Sequence, residues 1–228
     1  MKSPVRTVLL AVLATITLYG AGCQTTDEMV QNTPTHLLMR KGEHAERYGR
    51  YEEAADYFSQ VLQRAPGNQK ALLQYGTVML RLDEPVKARS AFHTAAIAEP
   101  GNADVVYLLA RAEVESGQYD DAFRLLRTYG IDNNDATAWT LLAEYALQLD
   151  DPDTAQQAIG QAIQLVGDTS ASPYLVAADL AERLGNDAEA LRRLRQAYAC
   201  DPSNTDTDRR LREYGEIPGP SIALEPGD

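Results

Sequence analysis

Cysteine, histidine and positive charge are all scarce in this chain, and each shortage excludes something. Cys23 and Cys200 are the two cysteines among 228 residues. They stand too far apart in sequence for a disulfide framework or a zinc-binding spacing. Of the three histidines, His36 and His44 lie eight residues apart and His93 stands alone. None has a Cys, Asp or Glu partner at metal-ligand spacing, so each reads as a surface or packing residue. Lys and Arg number 21 against 33 Asp and Glu, a formal net charge of -12. Phosphate backbones repel such a chain, which excludes nucleic acid as an expected partner. Glycine-rich phosphate loops, a nucleophile elbow and an HExxH helix are missing. No catalytic residue, metal, cofactor or small-molecule substrate is therefore expected. Cys200, beside Ala199 near a helix end, reads as an inert thiol.

Apolar residues make up 44% of the chain, enough to build a core. The N-terminus has its own character. Lys2 and Arg6 precede an apolar run, Val8 to Tyr19, which is followed by Gly20, Ala21, Gly22 and Cys23. A basic start, a short apolar run and a small-residue exit describe an export signal; a permanent membrane helix needs about 20 apolar residues. The end of this run resembles the lipobox of bacterial lipoproteins, although Gly20 stands where Leu is usual. The resemblance implies cleavage before Cys23 and a lipid on its thiol. Gln24 follows the cysteine, where Asp would imply retention in the inner membrane. The expectation is a signal peptide over 1–22 and a polar tether over 23–34. The protein would sit in the cell envelope, lipid-anchored on the periplasmic face of the outer membrane.

From residue 35 onward the chain repeats itself. GRYEEAADYFSQVLQRAPGN (49–68), DEPVKARSAFHTAAIAEPGN (83–102) and GNDAEALRRLRQAYACDPSN (185–204) share a turn, an Ala five residues on, an apolar residue four later and a closing Pro-x-Asn. Weaker copies occupy 117–134 and 150–167. The unit resembles the tetratricopeptide repeat (TPR), a helix-turn-helix of 34 residues. The resemblance implies an all-α fold: a right-handed TPR superhelix of about five repeats (35–68, 69–102, 103–135, 136–169 and 171–204), a capping helix over 205–214 and a disordered tail over 215–228. Small residues are expected where helices cross, at Gly42, Gly76, Ala110, Ala143 and Ala178 and at Ala54, Ala88, Ala122, Ala155 and Ala190. Pro85 and Pro152 fall where the first turn of a second helix tolerates a missing N–H. Lys41, Glu113, Tyr129 and the absent Pro of repeats 3 and 4 depart from the family pattern.

In this family the first helices line a concave groove. The resemblance places Met39, Glu43, Leu73, Thr77, Leu80, Tyr107, Arg111, Val114, Glu144, Leu147, Leu175 and Asp179 in it, an apolar centre with acidic ends. Such a face suits an amphipathic helix or an extended apolar segment with basic flanks. Met39 and Glu43 stand where chaperone-binding repeats carry a carboxylate clamp, which argues against that role. The expected partners are a protein or peptide segment in the groove and the membrane through a lipid anchor. The architecture is similar to the TPR lipoproteins of pilus systems that help secretin pores assemble. The alternative is an adaptor that regulates cell-wall (peptidoglycan) enzymes.

Overall fold

The computed structural model describes residues 33–225. The expected signal peptide, Cys23 and most of the tether lie outside the described residues. Among those described are eleven α-helices and no strand: α1 (Thr35–Arg47), α2 (Tyr51–Arg64), α3 (Gln69–Arg81), α4 (Pro85–Ala98), α5 (Ala103–Glu115), α6 (Tyr119–Asn133), α7 (Ala136–Gln148), α8 (Pro152–Val166), α9 (Ser172–Arg183), α10 (Asp187–Cys200) and α11 (Thr205–Glu213). Each helix packs on the next, so five antiparallel pairs stack into a solenoid and α11 closes it. Among the described residues every helix therefore finds its helical partners inside 35–213.

The turn within each pair is built the same way five times. Gly49, Asp83, Gly117, Asp150 and Gly185 all have positive φ, between 57° and 79°. That left-handed conformation is favourable for Gly and tolerated by Asp. It ends each first helix by pairing the next two N–H groups back into the last turn. In the first pair Gly49 donates to Glu46 O and Arg50 to Ala45 O, both at 2.9 Å. The second bond recurs from Glu84, Gln118, Asp151 and Asn186. The closing Pro-x-Asn serves the next helix. Asn68 Oδ1 accepts from Ala71 N, Asn102 from Asp104 and Val105 N, and Asn204 from Asp206 and Thr207 N. Asp135 does the same for Ala138 N at 2.7 Å. Such caps satisfy N–H groups that have no partner inside the helix.

Helix crossings set residue size. The five crossing alanines of the second helices, Ala54, Ala88, Ala122, Ala155 and Ala190, are all completely buried. Gly42 and Gly76 face phenylalanines. A Cβ on Gly76 would lie 2.5 Å from Phe92, and one on Gly42 equally close to Phe58. In repeats 3 to 5 the facing pair becomes Ala110 with Leu126, Ala143 with Ile159 and Ala178 with Leu194: the smaller partner leaves room for a methyl. This exchange predicts a sign reversal. Gly→Ala inside a helix ordinarily stabilises by about 1 kcal/mol, but Gly76→Ala should destabilise by about 1–3 kcal/mol through overpacking. Adding Phe92→Leu should recover part of that loss. Chemical denaturation of the two single variants and the double variant measures the coupling; purely additive effects would contradict the contact.

The departures have local reasons. Tyr129, in place of Ala, is buried with its hydroxyl donating to Gly101 O at 3.3 Å. The adjacent Gly130 makes room for Trp139, whose Nε1 would lie 2.8 Å from a Cβ there. Between repeats 4 and 5 the extra Ser170 breaks the 34-residue phase, and the N-cap of α9 is Ala171, which has no side-chain acceptor, with Ser170 Oγ accepting from Ser172 N at 3.3 Å. A hollow of about 560 Å³ lies at that seam, lined by Ile159, Ile163, Ala177, Leu180 and Leu184. Gly160 stands at its edge with open space over its Cα.

The C-terminus differs from expectation. The capping helix ends at Glu213, and Leu211 and Thr207 on it are fully buried. Its Arg210 reaches Asp179 at 2.8 Å and Glu182 at 3.0 Å on α9. The tail expected to be disordered lies along α10 as far as Glu225. Leu224 N donates to Arg195 O, Gln196 Nε2 donates to Glu225 O, and Arg195 pairs with Glu216. The physical reason is an incomplete cap. Short α11 leaves part of α10 uncovered, including the fully buried Gln196 amide, and Ile222 packs over the Leu194–Leu211 cluster.

Candidate functional site

The inner face follows from which helices touch. Successive first helices (α1, α3, α5, α7, α9) touch one another, and no pair of second helices packs comparably. The first helices therefore lie on the smaller radius and form the concave wall.

That wall is more polar than expected. Leu80 and Leu147 are only 9% and 5% exposed, and Met39 is 8% exposed, so all three belong to the packing between helices. Leu73, Tyr107, Val114 and Leu175 are half-buried. The apolar centre read from the sequence is largely closed over, because neighbouring helices approach closely enough to cover residues one turn from their contact line. Polar residues form the accessible surface. One hollow of about 540 Å³ is lined by Glu43, Glu46, Arg47, Gln74, Thr77 and Arg81 across repeats 1 and 2. A second, of about 420 Å³, is lined by Glu144, Leu147, Gln148, Asp179, Glu182 and Arg183 across repeats 4 and 5. Between them the exposed Arg111 pairs with Glu115 at 2.7 Å.

Negative charge is crowded at both ends. Burial pushes the Glu46 carboxyl up, neighbouring Glu43 adds to it, and Arg81 opposes. Glu43 itself reaches Lys70 at 2.5 Å. Burial likewise raises Glu144, with Asp179 adding repulsion. Burial also raises Asp179, even though Arg210 pulls the other way. Of these acids Glu46 and Glu144 have no ion-pair partner among the described residues, so they hold negative charge that a cation from outside would relieve.

Tyr107 has a job inside the fold. Its hydroxyl donates to Asp135 Oδ2 at 2.7 Å, while the other oxygen of Asp135 caps α7. Its ring meets Tyr129 edge-on, with centroids 6.1 Å apart. Burial and that hydrogen bond hold its phenol well above the usual range. Tyr107 is thus a rivet between repeats 3 and 4 with one flank on the groove. The Asp one repeat along, in place of Asn, was the sequence signal for it.

The histidines His36, His44 and His93 are all exposed. Among the described residues no group of three or more His, Cys, Asp or Glu is placed to hold a metal ion. Cys200 is half-buried, and burial raises its thiol, with Asp168 adding to it. Among the described residues no helix is long and apolar enough to cross a membrane.

The tetratricopeptide-repeat family model matches residues 47–98 and 83–145. Solved structures share the fold. PilW, a widely conserved type IV pilus biogenesis factor, aligns with a TM-score of 0.61 at 18% identity, over 92% of this chain and all of its own. A thermophilic TPR protein of Thermus thermophilus aligns at 0.57 and 21%, over 79% of this chain and 98% of its own. YrrB, a TPR protein with an unusual peptide-binding site, aligns at 0.53 and 16%, over 83% and 98%. No curated protein matches the sequence. The repeated helix pairs define a helical solenoid that acts as a protein–protein interaction scaffold. Residues 47–145 carry tetratricopeptide repeats, and the solenoid has the fold of solved tetratricopeptide-repeat structures.

Proposed function

We propose that this protein is a scaffold of the bacterial envelope, anchored by a lipid on Cys23, whose concave face holds a basic segment of a partner during assembly of a pilus or secretin machine. The observation that carries the reading is the negative charge without an ion-pair partner at the two ends of the groove, Glu46 at one and Glu144 at the other. A segment with Lys or Arg near both ends gives those carboxylates partners. Its likeness to PilW supports the choice of machine, and the lipobox-like Cys23 supports the envelope.

The test has two arms. Metabolic labelling with a fatty acid should mark the wild type and not Cys23→Ser; label that persists in the variant overturns the anchor. The second arm is capture from detergent-solubilised envelopes. Secretin or pilus subunits should be recovered, and Glu43→Gln with Glu144→Gln should weaken their binding about tenfold, roughly 1.4 kcal/mol. Recovery of peptidoglycan enzymes would instead favour the adaptor reading. Unchanged binding by the double variant would place the partner on another surface.

A further inference from the structure

The first helix breaks a rule that the other four first helices keep. Positions 3, 7 and 10 of a first helix face the second helix of the preceding repeat. At positions 3 and 10 of repeats 2 to 5, Ala71, Val78, Val105, Ala112, Ala138 and Leu180 are among the buried residues. In α1 the same places are Leu37, Lys41 and His44, and all three are exposed. No preceding repeat is described that would cover them.

The chemistry of this open face is unlike the rest of the molecule. At 3.6 residues per turn, Arg40, Lys41, His44 and Arg47 fall within an arc of roughly 120° together with Leu37 and Tyr48. Glu46 lies outside that arc, on the groove side; Glu43 lies at its edge and, with Glu53, lines a hollow beside Leu37, Arg40, Lys41 and His44. Residues 35–50 carry four Lys or Arg and two Glu, whereas residues 51–228 carry 15 Lys or Arg and 29 Asp or Glu. Arg40 and Lys41 make no ion pair among the described residues; Lys41 lies over the Tyr57 ring at 5.6 Å. Tyr48, 70% exposed, meets His44 at a tilt, with centroids 4.6 Å apart. Cations set around an exposed Leu and Tyr suit a layer that is anionic at its surface and apolar beneath.

We propose that the outer face of α1 docks on an anionic lipid surface, so that the solenoid stands on its first repeat. The position of the face in the chain agrees with its charge. Ten residue steps lead from Cys23 to Thr33, a reach of at most about 36 Å, and the apolar run Val8–Tyr19 lies just before Cys23. In this orientation the acidic repeats project away from the anionic layer. The proposal extends the anchored reading above, and its test leaves the anchor out.

The chain from residue 24 onward lacks both the apolar run and Cys23. It is mixed at low salt with vesicles of phosphatidylcholine alone, or of phosphatidylcholine with one third phosphatidylglycerol, and sedimented. Binding to the anionic vesicles only is the expected result. Arg40→Glu with Lys41→Glu should reduce it roughly thirtyfold, and high salt should do the same. Lys87→Glu with Arg127→Glu, exposed cations on second helices, should leave it unchanged. Thermal melts of each variant report whether the solenoid is intact. Equal partition to both vesicle types, or an equal loss in the two charge-reversed pairs, overturns the proposal. So does a third outcome: no sedimentation, while a synthetic peptide of residues 51–64, an acidic amphipathic helix, binds to α1. The face would then be a protein seam. Failure here leaves the fatty-acid labelling of Cys23 untouched, so the two readings fall separately.

Discussion

Ala88→Glu is expected to destabilise the protein by about 4 kcal/mol or more, the range reached when a charge is forced into a packed interior without a partner. Ala88 is completely buried at the crossing of α3 and α4, in a cluster with Met79, Leu80 and Phe92. A carboxylate there must displace those side chains or pull the pair apart, and no cation is among the buried residues of that cluster. The expected readout is a melting temperature lowered by roughly 10 °C, at about 2–4 °C per kcal/mol for a domain of this size. Thr94→Glu on the same helix is the control. Thr94 is exposed, so its change should stay within about 0.5 kcal/mol. Similar melts for the two variants would mean that α4 presents a different face to α3.

The second large effect concerns Glu113, a carboxylate where the repeat expects an apolar or small residue. It is 8% exposed, and its Oε2 is buried without a hydrogen-bond partner. Burial pushes its pKa up to about 7; Asp121 adds to the rise, while Arg89 and Arg124 oppose it. Because the folded value lies above the unfolded one, the folded protein holds this proton more tightly. Its stabilising contribution is complete below about pH 4.5 and is lost as pH rises through about 7. The loss amounts to at most about 3 kcal/mol. Glu113→Gln keeps the shape and removes the titration. The variant should be more stable than wild type at pH 8, and its stability should change less between pH 5 and 8. Glu46, Glu144 and Asp179 are raised in the same direction, so some slope should remain. Parallel pH profiles for variant and wild type would show that Glu113 is already ionised and solvated in the fold.

The helices and their phase were readable because a stacked repeat imposes the same steric demand five times. Ala at the crossings, Gly or Asp at the turns and Asn before the next helix recur for that reason. Pairwise fitting is harder to read. The exchange of Gly–Phe for Ala–Leu or Ala–Ile becomes visible once the facing residues are known. The groove was less legible still. The family resemblance puts Leu80 and Leu147 on the concave face, but how far neighbouring helices cover them depends on helix separation, which no single residue encodes. Tyr107 shows the same limit: a large aromatic on the groove side reads as a contact for a partner, while its hydroxyl is engaged by Asp135, the residue that caps α7. The tail's placement along α10 depends on how much surface a nine-residue cap leaves open.

The seam between repeats 4 and 5 has a mechanical meaning. Because each helix packs chiefly on its neighbours in sequence, tension applied at the two ends passes through every seam in turn, as through springs in series. The extension of such a series is governed by its softest element. At the seam between repeats 4 and 5 one residue is out of phase and a hollow lies beside Gly160. Held at one end and pulled at the other, this scaffold would open at a seam between repeats, with the helix pairs on either side still stacked.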